Sequence, residues 1–246
     1  MKTINYIIIF SILALTSLEK SETKVYVLLY HTFYGTGKHS TDVSIADLKK
    51  HISILKRNKF RFVSFQDIIK GNIRGTKNIL FTIDDGNVSG YRAYHSVFKP
   101  NDIKPLFAIY PHVINKRRYA MTWKMVNELS NDGCEIAAHG YYHLYVNQKL
   151  YRYRKKFFLG EIYKSKNILE KNIKKNINTF VYPYGSRSPV TIRELKKGKY
   201  TYAFNIKWGA LHYPLKKNDL YNLPRFMYNS NWNRIFNYIK KDSLKK

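Results

Sequence analysis

Three short apolar runs in this chain each stop at an ionisable residue. Val25 to Tyr30 runs into His31, Asn78 to Ile83 into Asp84 and Asp85, and Cys134 to Ala138 into His139. Val25 to Tyr30 is apolar throughout, without alternation, which suits a strand buried on both faces. Strands of that kind belong to parallel sheets covered by helices, and the side chains just past their C-terminal ends form the rim on which such domains build active sites. A fourth run, Asn178 to Tyr182, delivers Tyr184 to the same rim.

The segments between these runs read as helices and further strands. Ile45, Leu48, Ile52 and Leu55 recur at helical spacing, and Arg61 to Phe65 reads as a short strand. Lys104 to Tyr110 is a further strand. A helix opens at Thr122 as N-cap, turns Met125, Val126 and Leu129 inward, and stops at Gly133. One long basic helix is predicted over Leu150 to Asn172, with Phe157, Phe158, Ile162 and Leu169 among its apolar positions. Ser188 and Pro189 fit the N-cap and first position of a helix ending before Gly198, Tyr200 to Ile206 is strand-like, and a last helix starts near Ser230. Strands alternating with helices predict an α/β fold, a distorted (β/α) barrel of mainly parallel strands.

A chain of 246 residues, 44% hydrophobic, can bury one sizeable core. One basic residue, Lys2, precedes an apolar stretch from Tyr6 to Leu15 and then small and polar residues, the pattern of a signal peptide. That stretch is shorter than the roughly 20 residues a membrane span needs. The expected organisation is a signal segment over residues 1–22 and one domain over 23–246, secreted or held at the cell envelope. Cys134 is the only cysteine and reads as a small buried hydrophobe. The net charge of +28 comes from 44 basic residues spread along the whole chain, a compositional bias rather than a patch. This argues against nucleic acid as partner and for attraction to an anionic envelope or membrane surface.

The rim residues suit metal-assisted hydrolysis. A catalytic zinc-like site takes about three protein ligands and keeps an open position. Asp85, His139 and His143 offer one carboxylate and two imidazoles, with Gly140 letting the backbone bend between the histidines. Adjacent residues at a strand end point in different directions, which leaves Asp84 free to act as a base beside the metal. His31, on a different strand end, is the candidate acid. Each feature has a plainer reading taken singly: Asp-Asp-Gly as a turn, the His pair as chance among 22 tyrosines, His31 as a core histidine. Their combination, in this order and at strand ends, favours the site.

These residues resemble the NodB-homology polysaccharide deacetylases, carbohydrate esterase family 4. TIDDG at Thr82 to Gly86 is similar to that family's first motif, HGYYH at His139 to His143 to its second, and YPYG at Tyr182 to Gly185 to its third. VLLYH before the Asp pair and LPRF at Leu223 to Phe226 resemble the circularly permuted branch that deacetylates poly-N-acetylglucosamine. The resemblance implies a hydrolase that removes N-acetyl groups from an N-acetylglucosamine polysaccharide, either poly-N-acetylglucosamine or peptidoglycan. It implies one divalent ion, zinc or else cobalt, nickel or iron, on Asp85, His139 and His143. It further implies Asp84 as base, His31 as acid, the Tyr184 N–H at the oxyanion, and Arg225 in place of an arginine that many relatives carry where Val181 stands. Gly140 replaces the usual Ser or Thr, and Asn87 a common Pro. Tyr141, Tyr142, Tyr184 and Trp208 are candidates to stack on sugar faces. The rival reading is a glycan-binding or adhesion protein on the same scaffold without turnover.

Overall fold

The computed structural model describes residues 22–245, so the expected signal segment falls, except for Glu22, outside the described residues. Among the described residues nine strands form one sheet. Its spine is β1 (Thr23–Tyr30), β3 (Asn78–Ile83), β4 (Leu106–Ile109), β5 (Glu135–Ala138), β6 (Thr179–Val181) and β7 (Tyr202–Phe204), each parallel to its neighbour. The short β2 (Arg61–Phe62) lies parallel to β3. All eight residues of β1 and all six of β3 are buried, as a sheet covered on both faces requires.

The pairing register aligns the strand ends. Tyr30 pairs with Ile83, and the Asp84 N–H donates to Tyr30 O, so His31 and Asp84 leave adjacent strands at one level. Ile109 pairs with Ala138, and the His139 N–H donates to Ile109 O. β8 (Leu211–Tyr213) lies antiparallel on β1. The sheet curls shut through one segment: Leu223 bridges Phe204 at the end of β7, and β9 (Phe226–Met227) pairs with Leu28 and Leu29 of β1. Arg225 lies between these two anchors.

The helices start where local chemistry caps them. Ser44 opens α1 (Ile45–Arg57) by accepting the Asp47 N–H, and Leu48, Ile52 and Leu55 are buried as their spacing predicts. Thr122 caps α4 (Trp123–Asn131), after α3 (Val88–Ala93) has opened on Asn87; Ser188 caps α8 (Pro189–Lys197), and α9 (Trp232–Asp242) closes the chain. Two expectations need correction. The strand over Arg61 to Phe65 ends at Phe62, because Ser64 and Asp67 form a capping box that starts α2 (Phe65–Lys70).

The long helix over Leu150 to Asn172 is not continuous. It consists of α5 (Gln148–Tyr153), α6 (Lys155–Leu159), a wide π turn at Gly160–Lys164 and α7 (Ser165–Ile173). Arg154 leaves the helical conformation at φ −141° and ψ 53°. Apolar spacing cannot tell one helix from several that share an inward face. The wide turn supplies the extra residue that lets Glu161 face inward beside Ile162. Among the described residues no helix is long and apolar enough to cross a membrane.

Candidate active site

The two adjacent aspartates at the end of β3 meet different partners. Asp84 is buried and faces Arg225, which is itself wholly buried. The guanidinium grips the carboxylate with both arms, Nη1 at 2.8 Å from Oδ1 and Nη2 at 3.0 Å from Oδ2. Nη1 also donates to Thr82 Oγ1, and Nε to Asn205 O. Burial works to raise the Asp84 carboxyl, but the Arg225 charge and hydrogen bonds, with His139 and His31 nearby, outweigh it and hold the group below its ordinary range.

Asp85 turns away in a left-handed conformation, φ 77°, towards the two histidines. Its Oδ1 lies 3.3 Å from His143 Nε2 and 3.6 Å from His139 Nε2, and the two Nε2 atoms are 3.0 Å apart. Among the described residues these three are the only group of His, Cys, Asp or Glu whose ligand atoms fall within 4.8 Å of one another. His139 Nδ1 donates to Val181 O at 2.8 Å, which presents the Nε2 lone pair to this cluster. Burial, with His139 beside it, pushes His143 down to about 4, so its ring is neutral at neutral pH and able to bind a cation.

Asp85 Oδ1 is buried without a hydrogen-bond partner among the described residues. A buried carboxylate oxygen left unpaired beside two converging imidazole nitrogens is costly without a cation and satisfied with one. The donor set, one oxygen and two nitrogens, therefore fits a divalent metal ion.

His31 leaves β1 at the level at which Asp84 leaves the neighbouring β3. Its Nδ1 is buried and has no hydrogen-bond partner among the described residues. Tyr184 sits in the turn after β6 with φ 58°, and its ring, half exposed, lies 4.6 Å from His143. Asp85, His143 and Tyr184 are all non-glycine residues at positive φ. Such backbone is costly and persists where the surroundings over-determine it, as at a functional site.

The other aromatic candidates are placed differently. Tyr141 is buried under the Lys164 ammonium, Tyr142 packs between Tyr141 and Phe157, and Trp208 packs edge-on against Phe226 and Tyr238. Of the four, Tyr184 is the exposed ring; Tyr141 is buried, and Tyr142 and Trp208 are half-buried.

Glu161 escaped the sequence reading. It is wholly buried, and its carboxylate accepts the N–H groups of Tyr141, Tyr142 and Leu144 at 3.1, 2.8 and 3.1 Å. Gly140, at φ 72°, makes room for it, since a Cβ there would collide with Glu161 Oε2. The hydroxyl missing at position 140 is thus replaced by a carboxylate that braces the loop between the two histidines. The available signal was a lone acid: no Asp or Glu occurs from Ile136 to Gly160, in a stretch that carries five basic residues.

A family model described as polysaccharide deacetylase matches residues 71–203, more than half of the chain. The chain belongs to the polysaccharide deacetylase family. The matched span of this deacetylase domain carries Asp84, Asp85, His139, His143 and Tyr184, while His31 and Arg225 lie outside it and are brought in by β1 and the closing segment. Three solved structures share the fold. IcaB from Ammonifex degensii superposes with a TM-score of 0.74 at 22% identity, covering 88% of this chain and 97% of that one. The Streptococcus pyogenes deacetylase PplD, solved in complex with acetate, gives 0.73 at 17% identity over 89% and 99%. The de-N-acetylase from Aggregatibacter actinomycetemcomitans gives 0.71 at 19% identity over 85% and 96%. No curated protein sequence matches the chain.

Two variants test this geometry. Arg225→Met leaves Asp84 buried and unpaired, and is expected to destabilise the fold by about 3–5 kcal/mol at neutral pH in urea denaturation. With Arg225 present the Asp84 carboxyl is depressed in the folded state, so its stabilisation is full above the unfolded carboxylate pKa of about 3.9 and is lost as pH falls through the folded value. Without Arg225 the strongest influence opposing burial is gone and the carboxyl titrates higher. The stability gap is therefore expected to be widest near neutral pH and to narrow in acid; a constant gap would contradict the assignment. Glu161→Gln sets amide hydrogens against the loop N–H groups. Competition against a chelator is expected to show about 10–100-fold weaker zinc binding, as when other outer-shell partners are lost; unchanged affinity would contradict the bracing role.

Proposed function

We propose that this chain is a metal-dependent hydrolase that removes N-acetyl groups from N-acetylglucosamine units of a polysaccharide, with poly-N-acetylglucosamine favoured over peptidoglycan. One observation carries the reading: the neighbouring carboxylates differ in their partners, both oxygens of Asp84 being held by Arg225 while Asp85 Oδ1 converges with the two histidines. A base and a cation site thereby stand side by side. When bound by Asp85, His139 and His143, a divalent ion, zinc in our reading, supplies Lewis acidity towards the acetamide carbonyl and the attacking water.

Arg225 keeps Asp84 ionised, and Asp84 takes a proton from the water as it adds to the carbonyl carbon. The Tyr184 backbone N–H donates to the oxygen that becomes negative. His31 delivers a proton to the nitrogen as the C–N bond breaks, leaving acetate and a free amine on the sugar. In this reading the first 22 residues are an export signal and the chemistry takes place outside the cytoplasm, with the net charge of +28 favouring residence near anionic envelope or membrane surfaces.

Acetate release from N-acetylglucosamine oligomers and from peptidoglycan tests the reading. Release is expected to require the metal and to fall about 10²–10⁴-fold in both Asp84→Asn and His31→Ala. Metal binding without release from either polymer would overturn it in favour of a glycan-binding protein.

A further inference from the structure

The break between α5 and α6 leaves a concavity beside the catalytic rim. Leu144, Tyr145, Leu150 and Tyr153 line it, with Lys149 and Arg154 at its edge, and it encloses about 360 Å³. That volume lies at the lower end of the roughly 300–1,000 Å³ typical of small-ligand sites. Its wall is mostly carbon. Stacked rings join it to the reaction centre: Tyr184 lies 4.6 Å from His143, and Tyr145 lies flat on Tyr184 at 4.1 Å and 13°. Tyr145 and Tyr184 are half exposed and Tyr153 is 69% exposed. Tyr145 and Tyr153 line the hollow and Tyr184 stacks behind Tyr145, and exposed rings gathered in this way mark a binding surface rather than ordinary scatter of apolar residues.

We propose that this cavity is a sugar subsite that takes an N-acetylated pyranose of the substrate polymer and rejects a unit already deacetylated; the proposal rests on the deacetylase reading. The C–H faces of a pyranose suit the outer faces of Tyr145 and Tyr153. Asn147 has its Oδ1 committed to the Leu150 N–H at 3.0 Å, where it caps α5, which leaves its amide hydrogens for an acetamide oxygen. The charges at the edge are both positive, Lys149 and Arg154, and no carboxylate lines the cavity. Arg154 is held there by its guanidinium over the Phe157 ring at 4.1 Å. A neutral N-acetyl unit meets no penalty, whereas a glucosaminium is repelled. A flat or convex patch would suit a lipid surface; this one is concave and continuous with the catalytic rim.

The consequence is spacing. Each amine the enzyme makes turns its own sugar into a poor occupant of the subsite, so acetyl removal does not run along contiguous units.

The test compares kcat/KM and direct calorimetric binding for N-acetylglucosamine oligomers from the disaccharide to the hexasaccharide, with hexasaccharides carrying single glucosamine units beside them. In Tyr153→Ala the hexasaccharide-to-disaccharide ratio is expected to fall about tenfold, in turnover and in binding alike. The double variant Lys149→Glu, Arg154→Glu is expected to raise acceptance of glucosamine-bearing hexasaccharides relative to the fully acetylated one. An unchanged ratio, or an equal loss on short and long oligomers, would overturn the subsite. Absence of turnover of every oligomer by the wild type would overturn the deacetylase reading, while the binding ratio would still judge the subsite.

Discussion

The ion pair between Asp84 and Arg225 ties the fold to the site. Arg225 lies on the segment that closes the barrel, between the bridge of Leu223 to β7 and the pairing of β9 with β1. Its side chain crosses the interior to reach the end of β3. A buried guanidinium needs a partner, and so does a buried carboxylate. Each fixes the other, so correct closure of the sheet and correct aim of Asp84 are one event. The same pairing gives the two aspartates different surroundings: both Asp84 oxygens are held by Arg225, although Oδ2 also lies 3.7 Å from His139 Nε2, while Asp85 Oδ1 converges with both histidines.

Around this pair the protein accepts local strain. Asp85, His143 and Tyr184 hold left-handed backbone that their side chains disfavour. Glu161 offsets part of that cost by gathering the N–H groups of the loop between the histidines onto one buried carboxylate, and Val181 O fixes the His139 ring. Two residues carrying no chemistry of their own thus keep three donor atoms converged.

The strand ends were legible in the sequence because strands buried on both faces leave largely apolar runs, and an ionisable residue just after such a run lies at the rim. His31, Asp84, Asp85, His139 and Tyr184 could be located on that ground alone. Arg225 was not readable from composition or spacing; it entered only through resemblance of its segment, because its partner is 141 residues away. β8 and β9, three and two residues long, are too short to carry a pattern. The division of the helix at Arg154 was hidden because both halves turn apolar residues inward, and Glu161 was hidden because a buried acid in a basic helix looks like an ordinary surface residue until the wide turn points it in. Asp67, three residues after Ser64, is a readable capping signal that the apolar pattern of Arg61 to Phe65 masks.

The division of labour between the two carboxylates is tested most directly by zinc titration calorimetry of the wild type, Asp84→Asn and Asp85→Asn. The account expects Asp84→Asn to bind one ion with affinity near that of the wild type and Asp85→Asn to lose that binding. Equal loss in both variants, or retention in Asp85→Asn, would contradict it.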